Sequence, residues 1–252
     1  MIVRDAVAEV ALNKGLRRGT YYSYERLIGN VVSLDMDVSE ISQAGVIQRL
    51  WEIESPNTRR STVIALRSVF GWSIKIPRSI PKRYDLPDED TLRFALMLSR
   101  REARGLLMMY AGLRIGEACA VTAADRSGDR LTVARQVVEL HRVGEATTWT
   151  LGPTKTAEAS VIVPEVLWPV IDGLDTWDKP GRVRESLRRA GKRAGLDLAP
   201  HMLRKWYCTH LIERGLPLEL VRRQMRHSDI SVTLSHYQQF RESDIHAVFK
   251  QA

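Results

Sequence analysis

The segment IPRSIPKRYDLPDED, residues 76–90, constrains this chain before any motif is considered. Its prolines at 77, 81 and 87 each fix φ and remove a backbone donor, so neither a regular helix nor a central strand runs through it. Apolar periodicity is almost absent there, which marks a connection rather than an element. A chain of 252 residues is also long enough for more than one core. We therefore expect a first domain at residues 1–80, a linker at 81–89 and a second domain at 90–252.

Before the linker the apolar residues recur at helical spacing, in Val3, Val7, Val10 and Ala11, then in Tyr24, Leu27, Ile28, Val31 and Val32. Thr20 or Ser23 is expected to cap the second helix, and SPNT at 55–58 to cap a helix carrying Ile64, Leu66, Val69 and Phe70. After it, LPDEDTLRFALMLS reads as a capped helix, and Leu106 to Val121 as a hydrophobic one. The runs RLTVARQVVEL, TTWTL and SVIVP are rich in β-branched residues and point to a small antiparallel sheet. Beyond Asp178 the helical pattern returns. The expected fold class is mainly α with a small antiparallel β-sheet: a helical N-terminal domain followed by an α+β domain.

Net charge and its distribution narrow the partners. The chain carries a formal charge of +8, and Ser55 to Tyr84 holds Arg59, Arg60, Arg67, Lys75, Arg78, Lys82 and Arg83 with no acidic residue. A second block, Arg182 to Arg226, has twelve basic residues against four acidic. Either block alone reads as a solvated face; two in a two-part chain suggest two grips on one polyanionic backbone. No apolar run approaches the roughly 20 residues of a membrane helix, and MIVRDAVAEV lacks the pattern of a secretory signal. Cys119 and Cys208 stand far apart in no metal-like spacing, consistent with a reducing compartment. The expected location is the cytoplasm, with no membrane partner.

Four places hold polar groups that packing alone explains poorly. In AGLRIGEACAV, Arg114 lies in apolar surroundings with Glu117 three residues on: either a helical ion pair, or a buried guanidinium awaiting an anion. In LGPTKTAEASVIVP, Lys155 sits between two strand-like runs, as surface decoration or as a cation delivered on a hairpin. In HMLRKWYCTHLIERG, Pro200 places His201 and Arg204 in the first turn of one helix, on one face, where free amides favour an anion. His210 falls further along toward the core. The last place is RHSDISVTLSHYQQF, with His227 and Tyr237.

Two arginines, two histidines, a lysine and a tyrosine, with no carboxylate cluster at metal-ligand spacing, suit phosphoryl transfer without a metal or other cofactor. Guanidinium groups neutralise the charge that builds on the non-bridging oxygens of a pentacoordinate phosphate. A tyrosine hydroxyl, with a reference pKa of about 10, needs a cationic pocket or a base to become the nucleophile. A lysine can protonate the leaving oxygen.

The order R…K…HxxR…H…Y, in the contexts AGLRIGE, PTKT, HMLRKWYCTHL and RHSDIS, resembles the tyrosine recombinases, particularly phage-type integrases. The resemblance spans nearly the whole chain, with TYYSYERLI and SPNTRRSTVIALRSVFGW similar to the helical core-type DNA-binding domain of that family. It implies that Arg114 and Arg204 clamp the scissile phosphate and that His201 is a base or positioning group. It implies too that Lys155 is the general acid, that His227 hydrogen-bonds the phosphate, and that Tyr237 forms a 3′-phosphotyrosyl bond. The basic residues from Arg59 to Arg83 then become DNA contacts.

Three positions depart from the family pattern. Arg226 stands where a glycine usually precedes the histidine, and Lys205 where a histidine usually follows the second arginine. Tyr237 lies ten residues after His227, one more than is commonest, which puts His236 at the usual nucleophile position. The resemblance further implies double-stranded DNA attachment sites, a homotetramer on DNA, a Holliday junction, and room for an accessory directionality factor. The core-binding likeness begins almost at Met1, so a short attachment site is expected. The stripe Ile245, Val248 and Phe249 would dock on a neighbouring protomer or on its own domain. The rival readings are a chromosome-dimer resolvase, a type IB topoisomerase-like enzyme, and a DNA-binding protein with a decayed active site.

Overall fold

The computed structural model describes residues 1–78, 86–140, 146–156 and 158–231. Tyr237, His236, Lys82, Arg83 and the Ile245–Phe249 stripe lie outside them, as does most of the expected linker. The fold is mainly α-helical with two small sheets, in the expected class. The chain forms two compact units, Met1–Arg83 with Glu139–Trp149, and Tyr84–Val138 with Thr150–Ala252.

The first unit is built from α1 (Val3–Asn13), α2 (Arg18–Gly29), α3 (Gln43–Glu52) and α4 (Pro56–Phe70). Val3, Val7, Leu27, Ile28, Val46, Leu50, Val63 and Leu66 meet in one core, each drawn from the inward stripe of its helix. At the start of α4 the Ser55 side chain accepts from the Thr58 amide at 3.3 Å and Pro56 fills the first turn. Such a cap contributes about 1 kcal/mol. Two expectations are corrected. The second helix starts at Arg18, so Thr20 and Ser23 lie inside it and Ser23 donates to the Gly19 carbonyl at 2.7 Å. Ile64 faces outward, 37% exposed, because Val63 and Leu66 define the buried face of α4.

The second unit opens with α5 (Glu89–Met97), whose Asp88 cap accepts from the Thr91 amide at 2.8 Å. The hydrophobic stretch that reads as one helix is two: α6 (Glu102–Tyr110) and α7 (Ile115–Ala120). The break has a physical cause. Gly112 adopts φ +61, and a Cβ there would lie 2.6 Å from Tyr207 and 2.8 Å from the Met225 sulfur, so only glycine fits the turn. Arg114 is therefore the N-terminal cap residue of α7 rather than an interior helical residue. The buried Arg104 secures the far end of α7 by donating to the carbonyls of Ala118 and Val121, at 2.8 and 2.7 Å, and to that of Thr176.

The strands are β1 (Arg126–Ser127), β2 (Arg130–Val133), β3 (Arg135–Leu140), β4 (Thr148–Pro153) and β5 (Ala159–Ile162). Among the described residues they form two sheets, β1-β2-β5 and β3-β4, where one was expected. β5 pairs antiparallel with β2, setting Val161 against Leu131, both buried, whereas β4 is mostly exposed and pairs only with β3. Lys155 thus lies on a connection between sheets, not at a hairpin tip. Among the described residues four α-helices follow: α8 (Trp168–Asp172), α9 (Pro180–Arg193), α10 (Pro200–Glu213) and α11 (Leu218–Met225).

Candidate active site

Three backbone features of the second unit converge: the α6–α7 turn, the first turn of α10, and the end of α11. Arg204 joins them. From α10 its guanidinium donates to the Gly112 carbonyl in the α6–α7 turn and to the Met225 carbonyl at the end of α11. Arg114 makes the parallel connection, donating to the Arg226 carbonyl at 3.1 Å. Both carbonyls are presented by a left-handed turn, with Arg226 at φ 52 and ψ 46. For a residue with a Cβ this conformation costs roughly 1–2 kcal/mol.

Glu117 is the counter-charge. Fully buried, it accepts from the Arg114 amide at 2.7 Å and from the Arg114 guanidinium at 3.0 Å, and it pairs with the Arg226 side chain. Two guanidinium groups pair with this one carboxylate and a third, that of Arg204, feels its charge, leaving an excess of positive charge. His201 and Lys155 add to the cluster electrostatically: loss of water around the ring, then the charges of Arg204, Arg114 and Lys155, hold the His201 imidazole below its ordinary value. Burial, followed by the nearby Arg114, pushes Arg204 down to about 9, so it remains a cation at neutral pH. Such a site is primed for an anion, because an incoming phosphate relieves both repulsion and lost hydration.

Pro200 begins α10, so His201 and Arg204 occupy its first turn as the sequence indicates. His201 reaches solvent, Arg204 is 6% exposed, and Lys155 is exposed. His227 follows the left-handed residue; its amide donates to the Arg222 carbonyl at 3.0 Å and its carbonyl accepts from the Arg222 guanidinium at 3.0 Å. His210 stacks on Trp206 with ring centroids 4.5 Å apart, a packing role away from the cationic cluster. The sequence reading missed the Arg226 side chain as a member of the cluster. Its signal was the position before His227, where the reading weighed only the backbone.

Residues 179–243, which include both α10 and α11, match the Phage integrase family. The tyrosine recombinase XerA of Thermococcus kodakarensis is 29% identical over 169 residues, covering 63% of this chain and 58% of that protein. Over these residues the chain is similar to tyrosine recombinases. A second relative, the tyrosine recombinase XerD of Halalkalibacterium halodurans, is 37% identical over 67 residues, 25% of this chain and 22% of that one. This chain spans less than two thirds of the length of those relatives. Two solved structures share its fold. One is the Tn1549 transposon integrase in complex with a circular intermediate DNA, 15% identical, covering 94% of this chain and 95% of that one, TM-score 0.69. The other is a lambda integrase dimer bound to a core site, 16% identical, covering 94% and 77%, TM-score 0.63.

In the first unit the basic residues divide. Arg67, Lys75 and Arg78 are exposed. Arg59 is half-buried, donating to the Ile53 carbonyl at 2.6 Å with its guanidinium 5.0 Å from the Trp51 ring, and Arg60 donates to the Pro77 carbonyl. Arg59, Arg60 and also Arg67, which donates to the Ile74 carbonyl at 3.2 Å, spend part of their donor capacity on the fold.

The lowered His201 value gives a direct expectation. In the free protein the ring is expected to titrate, by NMR, below the ordinary histidine value, and an anion bound beside it and the arginines should move it upward. The sign follows from linkage: the unfolded chain binds this proton more tightly, so the stability this group contributes is complete above pH 6.5 and is lost as pH falls toward the folded value. A ring titrating at or above 6.5 in the free protein would contradict the crowding of positive charge around it.

Proposed function

We propose that this protein is a site-specific DNA recombinase that cuts and rejoins strands through a 3′-phosphotyrosyl intermediate. The observation that carries the proposal is the cluster itself: Arg114 and Arg204 are fixed by backbone carbonyls beside a neutral-leaning His201 and an exposed Lys155. In this reading residues 1–80 are the core-type DNA-binding domain, 81–89 the linker and 90–252 the catalytic domain. Both units contact the duplex, and the basic residues Arg59 to Arg83 contact its backbone.

The chemistry follows from the groups. The Tyr237 oxygen attacks the scissile phosphorus, and the bond from phosphorus to the 5′-oxygen breaks. Charge accumulating on the non-bridging oxygens meets Arg114 and Arg204, whose orientation is already fixed by the carbonyls and needs no rearrangement. His201, uncharged near neutral pH, accepts a hydrogen bond or the tyrosine proton, and His227 supports the phosphate. Lys155, on a connection that leaves it exposed, supplies the proton to the departing 5′-oxygen. The covalent bond conserves the energy of the phosphodiester, so a 5′-hydroxyl from another strand reverses the step. Two duplexes held by a homotetramer would exchange strands through a Holliday junction.

The biological event we favour is integration or excision of a phage or other mobile genome in a host cytoplasm, with an accessory factor setting direction. A second reading, resolution of chromosome dimers, is favoured by the curated relatives, which come from cellular organisms. The test begins with duplexes that the wild-type protein selects from a random pool. One selected duplex, nicked close to its centre, is incubated with protein in EDTA. A covalent protein–DNA adduct at residue 237 supports strand transfer; tight binding with no adduct favours a DNA-binding protein with a decayed site. The genomic position of the selected sequence, at the ends of an element or at one chromosomal locus, separates the two events.

A further inference from the structure

Arg226 presents a problem of electrostatics. Its side chain is 4% exposed, pairs with Glu117 through Nη2, and leaves Nε and Nη1 buried without a hydrogen-bond partner. It also occupies a left-handed backbone conformation that glycine would adopt without strain. A buried, incompletely bonded guanidinium on a strained backbone is costly, so what it provides must be specific to this site.

The partner explains it. Glu117 is fully buried and serves two arginines of different exposure: Arg114, with a side chain 25% exposed, and Arg226, which is closed off from solvent. Of the two, only Arg114 has a face open to an incoming phosphate. When Arg114 turns toward that phosphate it gives up the 3.0 Å contact with Glu117. Without Arg226 that movement would leave the buried carboxylate with no paired cation, and the resulting penalty would oppose phosphate binding by Arg114.

We infer that Arg226 is a positioning residue for the phosphate clamp: it keeps Glu117 neutralised, so that Arg114 can leave that carboxylate for the scissile phosphate. The inference rests on the strand-transfer reading above. Arg226 touches no DNA. It acts through Glu117 on the free energy of the engaged state, and it should change the rate of cleavage more than the affinity for duplex.

The variants are Arg226→Gly, which suits the backbone, Arg226→Lys, which keeps the charge, Glu117→Gln, which keeps an acceptor for the Arg114 amide, and the Arg226→Gly/Glu117→Gln double. Three quantities are measured on each: adduct formation with the nicked selected duplex, Kd for that duplex, and urea unfolding. Arg226→Gly should slow adduct formation by about tenfold or more while Kd shifts by no more than about threefold, with partial recovery in Arg226→Lys. In the Glu117→Gln background the same glycine substitution should cost about twofold at most, because the carboxylate it serves is gone. An unchanged rate in Arg226→Gly, or an equal loss in both backgrounds, overturns the inference. If the wild-type protein gives no adduct, the strand-transfer reading itself fails, and the unfolding cycle decides the remainder. Arg226 and Glu117 should then still be coupled by about tenfold in the unfolding constant, and no coupling would remove Arg226 as the partner of Glu117.

Discussion

Arg204→Ala is expected to lower adduct formation by about 10²–10³-fold, the scale of losing a preorganised charge donor, and to destabilise the fold at the same time. The double effect follows from the geometry. Arg204 holds the Gly112 and Met225 carbonyls, so its removal leaves two buried acceptors unbonded, at about 1–3 kcal/mol each. Relief of a buried charge, visible in its lowered pKa, offsets part of that cost. Arg204→Lys separates the two contributions. An ammonium can meet one carbonyl and keep the charge, but it lacks the fork that spans Gly112, Met225 and a phosphate together. The lysine variant should regain stability measured by urea unfolding and stay within about tenfold of the alanine variant in adduct formation. Full recovery of activity by lysine would show that Arg204 acts as a point charge and that its bidentate placement is incidental.

The helical character of the chain and the first turn of α10 were legible because they rest on local rules. Pro200 at a helix start, Ser55 before Pro56, and Asp88 before an apolar run each act within one turn. What escaped the sequence depended on contacts distant in the chain. The break between α6 and α7 exists because Tyr207 and Met225 press against Gly112, and no local pattern around Gly112 encodes neighbours nearly a hundred residues away. Arg114 was assigned to a helix interior for that reason, when the break makes it a cap. Strand partners failed similarly: β4 and β5 are close in sequence, yet β5 finds its buried partner in Leu131 of β2. Arg226 is the instructive case. A substitution that looked like a perturbation of a turn brings its side chain to a carboxylate 109 positions away.

Tyr237→Phe should abolish the adduct, a fall of about 10⁴-fold or more, since no other group can replace the attacking oxygen when a nucleophile is removed. The alternative is set by spacing: His236 occupies the position nine residues after His227, where the nucleophile of this family is commonest, and Tyr237 lies one further. Histidine can attack phosphorus through a ring nitrogen, so the two candidates differ in the bond formed. A phosphotyrosine survives acid treatment, whereas a phosphohistidine hydrolyses in it. Trapping with the nicked duplex in EDTA, then acid quenching, therefore distinguishes them even before the variants are compared. The expected pattern is an acid-stable adduct, lost in Tyr237→Phe and retained in His236→Ala at a rate within about tenfold of wild type. Retention in Tyr237→Phe with loss in His236→Ala would move the nucleophile by one residue. The clamp of Arg114 and Arg204 would be unaffected by that result, because it serves the phosphate whichever group attacks it.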